Sequence, residues 1–259
     1  MCLKTEKINL DMNNNSILED VTITLNRGEM VGLIGPNGAG KTSLLKCILG
    51  LLEIKSGTIS VDNKNIDNLT LKERAKKMAY FAQGAPVYWP LTVDSVVGLG
   101  RIPHLNQWQK LSEDDEEIIE SAMVKTDCIS LKGRLVTSLS GGERARVLLA
   151  RALAARSPYI MADEPVASLD PAHQLQVMEI LKKLSQNNSG VMVVIHDLSL
   201  ALRYCDRLIL LDEGKLIGQD TSDVILSDNK LASVFGIRAS RWTDGGEDFL
   251  IAHHITEET

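Results

Sequence analysis

No two cysteines in this sequence are spaced for a zinc site. Cys2, Cys47, Cys128 and Cys205 are scattered with no CxxC pair, so neither a metal knuckle nor a disulfide framework is encoded. Cys47 and Cys128 read as small core residues. Positive charge is not in excess either: 28 Lys and Arg stand against 34 Asp and Glu, a net −6. That balance argues against non-specific nucleic-acid binding, which needs clustered cations, though it leaves room for a local basic patch. Every uncharged apolar run falls short of the roughly 18 residues a membrane span requires. The opening MCLKTEKINL lacks the apolar stretch of a secretion signal. Any membrane role is therefore expected to pass through a partner. Aromatics are scarce at 4%, but 44% apolar and 24% charged over 259 residues is the make-up of a folded chain with one large domain or a domain plus sub-domain.

What is present is an alternation of strand and helix signals. Val21, Ile23 and Leu25 alternate, and Met30 to Ile34 is a short apolar run. Leu44, Leu45, Ile48 and Leu49 share a helix face closed by Gly50. Thr70 to Glu73 has capping-box form, and MAYF (78–81) reads as a strand. Between about 85 and 155 no convincing strand occurs; Ser112 followed by three acids opens a helix, and the stretch reads as a helical insertion. Beyond it come a buried strand in YIMADE, a helix opened by Asp170-Pro171, a second buried strand in GVMVVIH, and a hairpin turning at Asp212-Glu213-Gly214. The fold class expected is α/β, with a largely parallel sheet covered on both faces.

GPNGAGKT runs from Gly35 through Pro36, Asn37, Gly38, Ala39, Gly40 and Lys41 to Thr42, with Ser43 next. It fits G-x-x-x-x-G-K-[ST] between a strand and a helix. Converging backbone N–H groups and a helix amino end suit phosphate oxygens, and side chains at the glycines would obstruct them. Lys41 would reach the β- and γ-phosphates and the Thr42 hydroxyl would ligate Mg²⁺. Asp163 ends an apolar strand, where it can hold that Mg²⁺, and Glu164 beside it is free for the attacking water. His196 follows another apolar strand. Alone it reads as structural; beside a nucleotide it could bond the γ-phosphate. Gln83 also lies at a strand end, where ligands of open α/β sheets gather.

A second bare helix start stands apart: LSGGE (139–143), with Ser140, Gly141 and Gly142. Two glycines there need a reason, since glycine costs a helix interior roughly 1 kcal/mol against alanine. A hydroxyl, open N–H groups and the helix dipole form an anion site. If it cannot fold back on the first cradle, its target is a nucleotide held by another chain.

These residues resemble the ATP-binding-cassette (ABC) ATPases. The order agrees: phosphate loop, Q-loop Gln83, signature Ser140 to Glu143, ADEP at 162–165, D-loop SLD at 168–170, switch His196. The resemblance spans about residues 1 to 236. It implies a P-loop NTPase core over 1–84 and 156–236, including an antiparallel N-terminal β part, a helical sub-domain over 85–155, and a C-terminal tail over 237–259. It implies ATP and Mg²⁺ as cofactors, the metal at Thr42, Gln83 and Asp163, and Glu164 and His196 as catalytic. It also implies D-loop roles for Ser168 and Asp170, and a head-to-tail pair with a second copy whose Ser140 to Glu143 cover the same ATP. One departure is the missing aromatic near Met12 to stack on adenine. Met12 offers only a sulfur–π contact, about 0.3–1.5 kcal/mol, so weaker base discrimination is expected.

VVGLGRIPHLNQW (96–108) and SLDPAHQLQVMEIL (168–181) resemble cassettes of importers of iron–siderophore complexes, haem and cobalamin. Arg101, His104 and His173 otherwise read as surface or capping residues. The implied partners are membrane permease subunits docking near Gln83–Pro90 and, indirectly, a solute-binding protein, with the chain peripheral at the cytoplasmic face of the inner membrane. Tyr88 and Trp89 suit such a surface or ordinary core packing. A soluble cassette ATPase outside transport, such as an iron–sulfur assembly factor, is the alternative.

Overall fold

The computed structural model describes residues 1–82, 89–167 and 169–255. The first two strands, β1 (Cys2–Met12) and β2 (Asn15–Asn26), pair antiparallel. Along β2, Leu18, Val21, Ile23 and Leu25 are buried while Glu19 and Asp20 face water. Asn13 and Asn14 join the strands with φ of 50° and 65°, the left-handed pair that matches hairpin twist. β3 (Met30–Ile34) and α1 (Lys41–Ile48) follow. β4 (Ser56–Val61) and β5 (Lys64–Asn65) then complete a four-stranded antiparallel sheet in the order β2-β1-β4-β5.

α2 (Leu71–Lys77), opened by the Thr70–Glu73 capping box, leads into β6 (Met78–Ala82). Three helices come next: α3 (Val93–Gly98), α4 (Glu113–Lys125) and α5 (Gly141–Ala154). Strand and helix then alternate through β7 (Tyr159–Asp163), α6 (Pro171–Gln186), β8 (Gly190–Val194), α7 (Leu198–Tyr204) and β9 (Arg207–Asp212). β10 (Lys215–Asp220) is followed by α8 (Ser222–Ile225), α9 (Asp228–Phe235) and a last pair, β11 (Ile237–Asp244) and β12 (Glu247–Ile255). The main sheet runs β10-β9-β3-β8-β7-β6, parallel except for β10. Both its faces are covered, so alternate residues enter different cores. Val191 and Val193 of β8 meet the helical side; Met192 and Val194 meet α1 and the antiparallel sheet.

One expectation needs correction, and one open choice is resolved. Residues 237–255 are not a tail: β11 and β12 form a hairpin docked on α7. Leu250 is buried in the helical core, its carbonyl accepts from the Ser199 hydroxyl, and Arg203 pairs with Glu247. His253 and His254 remain exposed on β12. Of the two readings open for Arg101, surface or capping, it takes the second. It is buried, donates to Asp115 at 2.8 Å and to the Ala154 carbonyl at 2.9 Å. The His104 ring meets the Ala155 carbonyl at 2.8 Å. A Cβ on Gly100 would lie 2.2 Å from the Arg151 carbonyl. This segment clamps the carboxyl end of α5, satisfying carbonyls that a helix terminus leaves without partners.

Candidate nucleotide site

β3 delivers the chain into the glycine-rich loop, and the loop's bare positions have two different causes. A Cβ on Gly35, at φ 147°, would lie 2.0 Å from the Leu211 carbonyl oxygen; on Gly40, at φ 92°, it would meet Leu18 at 2.8 Å and the Ile17 carbonyl at 2.9 Å. These two glycines are required by the fold's own packing, apart from any ligand. Gly38 has open space where a Cβ would stand, but its φ of 83° is left-handed, so there the backbone conformation rather than a clash calls for glycine. Pro36 accepts from the Ala39 N–H at 3.2 Å, and Asn37 is exposed. α1 starts at Lys41, so the N–H groups of Lys41, Thr42 and Ser43 have no intrahelical acceptor.

Lys41 is buried, and its ammonium curls back onto the loop, donating to Gly35 O at 2.8 Å and Pro36 O at 2.7 Å. Burial pushes its pKa down, opposed by the nearby Glu164 and Asp163 carboxylates. Thr42 and Asp163 come together: the hydroxyl donates to Asp163 Oδ1 at 2.9 Å. The other oxygen, Oδ2, accepts from the Tyr80 hydroxyl at 3.0 Å, and Tyr80's pKa is raised, chiefly by burial and then by Asp163. Sequence reasoning passed over Tyr80. The one signal was a phenol in an otherwise apolar strand.

Glu164 takes φ 50°, uncommon for a non-glycine residue. Its N–H reaches the Val194 carbonyl at 3.2 Å. Its Oε1 lies 2.8 Å from His196 Nε2, with both side chains a little over 40% exposed. Glu164, expected at the attacking water, and His196, open between a structural and a chemical role, thus form one pair at the ends of β7 and β8.

The second cradle is built differently. Ser140 caps α5: its Oγ accepts from the Glu143 N–H at 3.2 Å, and Glu143 Oε2 accepts from the Ser140 N–H at 2.8 Å. Those bonds, the Ser140 backbone N–H first, hold the Glu143 carboxyl below its usual range. Glu143 is therefore turned onto its own helix start. Gly141 has nothing within 4 Å of a Cβ, and Gly142 has only the His173 ring, at 3.8 Å; neither has a positive φ. Asp170 caps α6, accepting from the His173 N–H at 3.0 Å and meeting His173 Nδ1 at 2.6 Å. Among the described residues no hydrogen bond links Ser140–Glu143 to the Gly35–Ser43 loop. Gln83, Tyr88 and Ser168 lie outside the described residues, so the Q-loop position, the first residue of the D-loop and much of the Gln83–Pro90 docking segment are not placed. Met12 is 41% exposed at the end of β1.

Comparison with known proteins gives a consistent picture. The ABC transporter family pattern matches residues 18–167. A hemin import ATP-binding protein, HmuV, of Pseudomonas entomophila is 37% identical over 240 residues, 91% of this chain and 92% of that protein. A cobalamin import ATP-binding protein, BtuD, of Halobacterium salinarum is 36% identical over 245 residues, 94% of this chain but 61% of its own length. A dimeric ATP-binding cassette in a post-hydrolysis state with ADP and Pi superposes with a TM-score of 0.75 at 26% identity, covering 85% of this chain and 98% of that one.

Proposed function

The chain belongs to the ABC transporter family of ATP-binding proteins, and from that premise we propose that it powers uptake of haem or a related metal chelate such as cobalamin through a separate membrane permease. It is an ATP hydrolase and an import-type ATP-binding subunit. The haem and cobalamin import relatives favour this over a cassette working outside transport. Among the described residues no helix is long and apolar enough to cross a membrane. A groove beside α2 with exposed Leu51, Leu71, Leu99 and Ile102 suits a short apolar helix of that permease, which would place the chain at the cytoplasmic membrane face. A solute-binding protein would deliver the chelate from the far side.

The observation that carries the catalytic reading is the Glu164–His196 pair beside the Thr42–Asp163 hydrogen bond. Gly35 to Ser43 would hold the triphosphate, with Lys41 exchanging its loop carbonyls for phosphate oxygens. Mg²⁺ fits the donor set: the Thr42 hydroxyl and the Asp163 carboxylate are adjacent hard oxygens. Such an ion would keep several waters and share the substrate's phosphates rather than need a cage of protein ligands. When bound, it neutralises charge on those phosphates. Gln83 would join this shell. Glu164 would take the proton of the attacking water, and His196 would hold its carboxylate in line. Ser140, Gly141 and Gly142 would grip the γ-phosphate of ATP on a second copy, with Ser168 and Asp170 beside the shared interface.

Glu164→Gln tests this. Turnover should fall on the order of 100-fold or more while ATP binding persists and the ATP-loaded variant dimerises. Wild-type turnover in that variant would overturn the assignment.

A further inference from the structure

The chemistry proposed above sits at the carboxyl ends of the sheet strands. At their amino ends a separate cavity of about 590 Å³ opens between the starts of β6, β7 and β8 and the helices α4 and α5. Arg27, Lys76, Lys77, Lys125 and Arg156 line it, and no Asp or Glu does. In a chain of net charge −6 this is a local reversal of sign.

Asp62 lies near the rim but is already shared. It pairs with Arg27 at 2.7 Å and Lys77 at 2.9 Å and accepts from the Tyr159 hydroxyl at 2.9 Å. One carboxylate thus serves two cations. Lys76, Lys125 and Arg156 form no salt bridge among the described residues. The Arg27 Nε is buried with no hydrogen-bond partner, a donor that is costly to leave unmatched. Ser121 and Asn188 also line the space. Guanidinium, ammonium and neutral donors converging on one concavity match the oxygens of phosphate groups, and the volume is that of a small-molecule site rather than a flat contact patch.

We infer that this cavity binds a small, multiply charged anion of the phosphate class, held as a free solute. Its attachment points come from both parts of the chain. Lys125 ends α4 and Arg156 follows α5, whereas Arg27 precedes β3 and Lys76 and Lys77 precede β6. A bound polyanion would tie the helices to the strand ends and relieve the repulsion among the cations, stabilising the folded chain.

The test uses the full chain saturated with ADP, so that the Gly35–Thr42 loop is already filled, and labelled pyrophosphate in equilibrium dialysis. One pyrophosphate should bind per chain, more weakly as salt is raised. Affinity should drop at least tenfold in Lys125→Glu/Arg156→Glu, whose residues are exposed and remote from the nucleotide site, so its turnover should stay at the wild-type rate. The thermal midpoint should rise with pyrophosphate in the wild type and not in the double variant. Absence of binding to ADP-saturated protein, or binding that the double variant retains, overturns the proposal. Sedimentation with phosphatidylglycerol vesicles, in a parallel arm, distinguishes a lipid headgroup. Capture by vesicles without pyrophosphate binding also overturns the free-anion assignment.

Discussion

Gly35 and Gly40 are crowded, whereas Gly141 and Gly142 are not. A side chain on either of the first two would run into the Leu211 or Ile17 carbonyl of the same chain, in a backbone conformation that L-residues rarely adopt. A side chain on Gly141 would meet nothing, and on Gly142 only the edge of His173. Both have ordinary helical backbone at the start of α5. The first pair is explained inside the chain and the second is not. When a fold tolerates a methyl group that the sequence omits, the constraint lies outside the folded monomer. A second copy of this chain, presenting its nucleotide to α5, is the partner that would impose it.

That comparison depends on α5 being a fixed platform, which gives the largest effect. Arg101 is the clamp at the far end of the helix. Removing one partner of a buried ion pair costs about 3–5 kcal/mol, so Arg101→Ala should lower the unfolding free energy by about 4 kcal/mol in denaturant titration. The pH dependence should change with it. Asp115's carboxyl is held down from 3.8 to about 2, first by the Ser112 N–H, then by Arg101 and the Ser112 hydroxyl. A depressed carboxyl stabilises fully above its unfolded pKa and loses that contribution as pH falls through the folded one. The wild type should thus lose this contribution between roughly pH 4 and pH 2, and Arg101→Ala should lose it at higher pH. An unchanged acid profile would show that the clamp is not electrostatic.

Gly35→Ala should come next. Left-handed strain and the clash with Leu211 together cost about 3 kcal/mol, so the thermal midpoint should drop and nucleotide binding with it. Retained stability would erase the contrast with Gly141 from the other side.

Both halves of this contrast were legible in the sequence, the second as two glycines at a helix start; what it hid lies around them. Gly35–Thr42, Asp163, Glu164 and His196 were readable because each follows a short apolar run, and a strand end is a local signal. The two-residue asparagine turn and the full length of β1 were not, because β1 is broken by register shifts between Thr5 and Leu10 that blur its alternation. Arg101 stayed open between surface and capping because its partners, Asp115 and Ala154, are 14 and 53 residues away. The C-terminal hairpin was missed for a similar reason. Apart from Leu250, β11 and β12 hold no fully buried residue, so their pattern does not announce a core face. Tyr80 was hidden by its strand: only the position of Asp163 on β7 turns a phenol in β6 into a member of the site.

The smallest stability effect carries the most information. Gly141→Ala introduces a methyl into open space on helical backbone, and replacing glycine at such a position stabilises by about 0.4–1 kcal/mol, mainly through the unfolded chain. The variant should melt at or slightly above the wild-type temperature and bind ATP as a monomer with unaltered affinity, since the Gly35–Ser43 loop is untouched. Its turnover should nevertheless fall at least tenfold, and Glu164→Gln/Gly141→Ala should fail to dimerise with ATP where Glu164→Gln alone succeeds. A variant more stable than its parent yet unable to turn over cannot be explained by damage to the monomer. If Gly141→Ala instead hydrolyses ATP at the wild-type rate, the open space above α5 receives no phosphate, and the two cradles are not halves of one site.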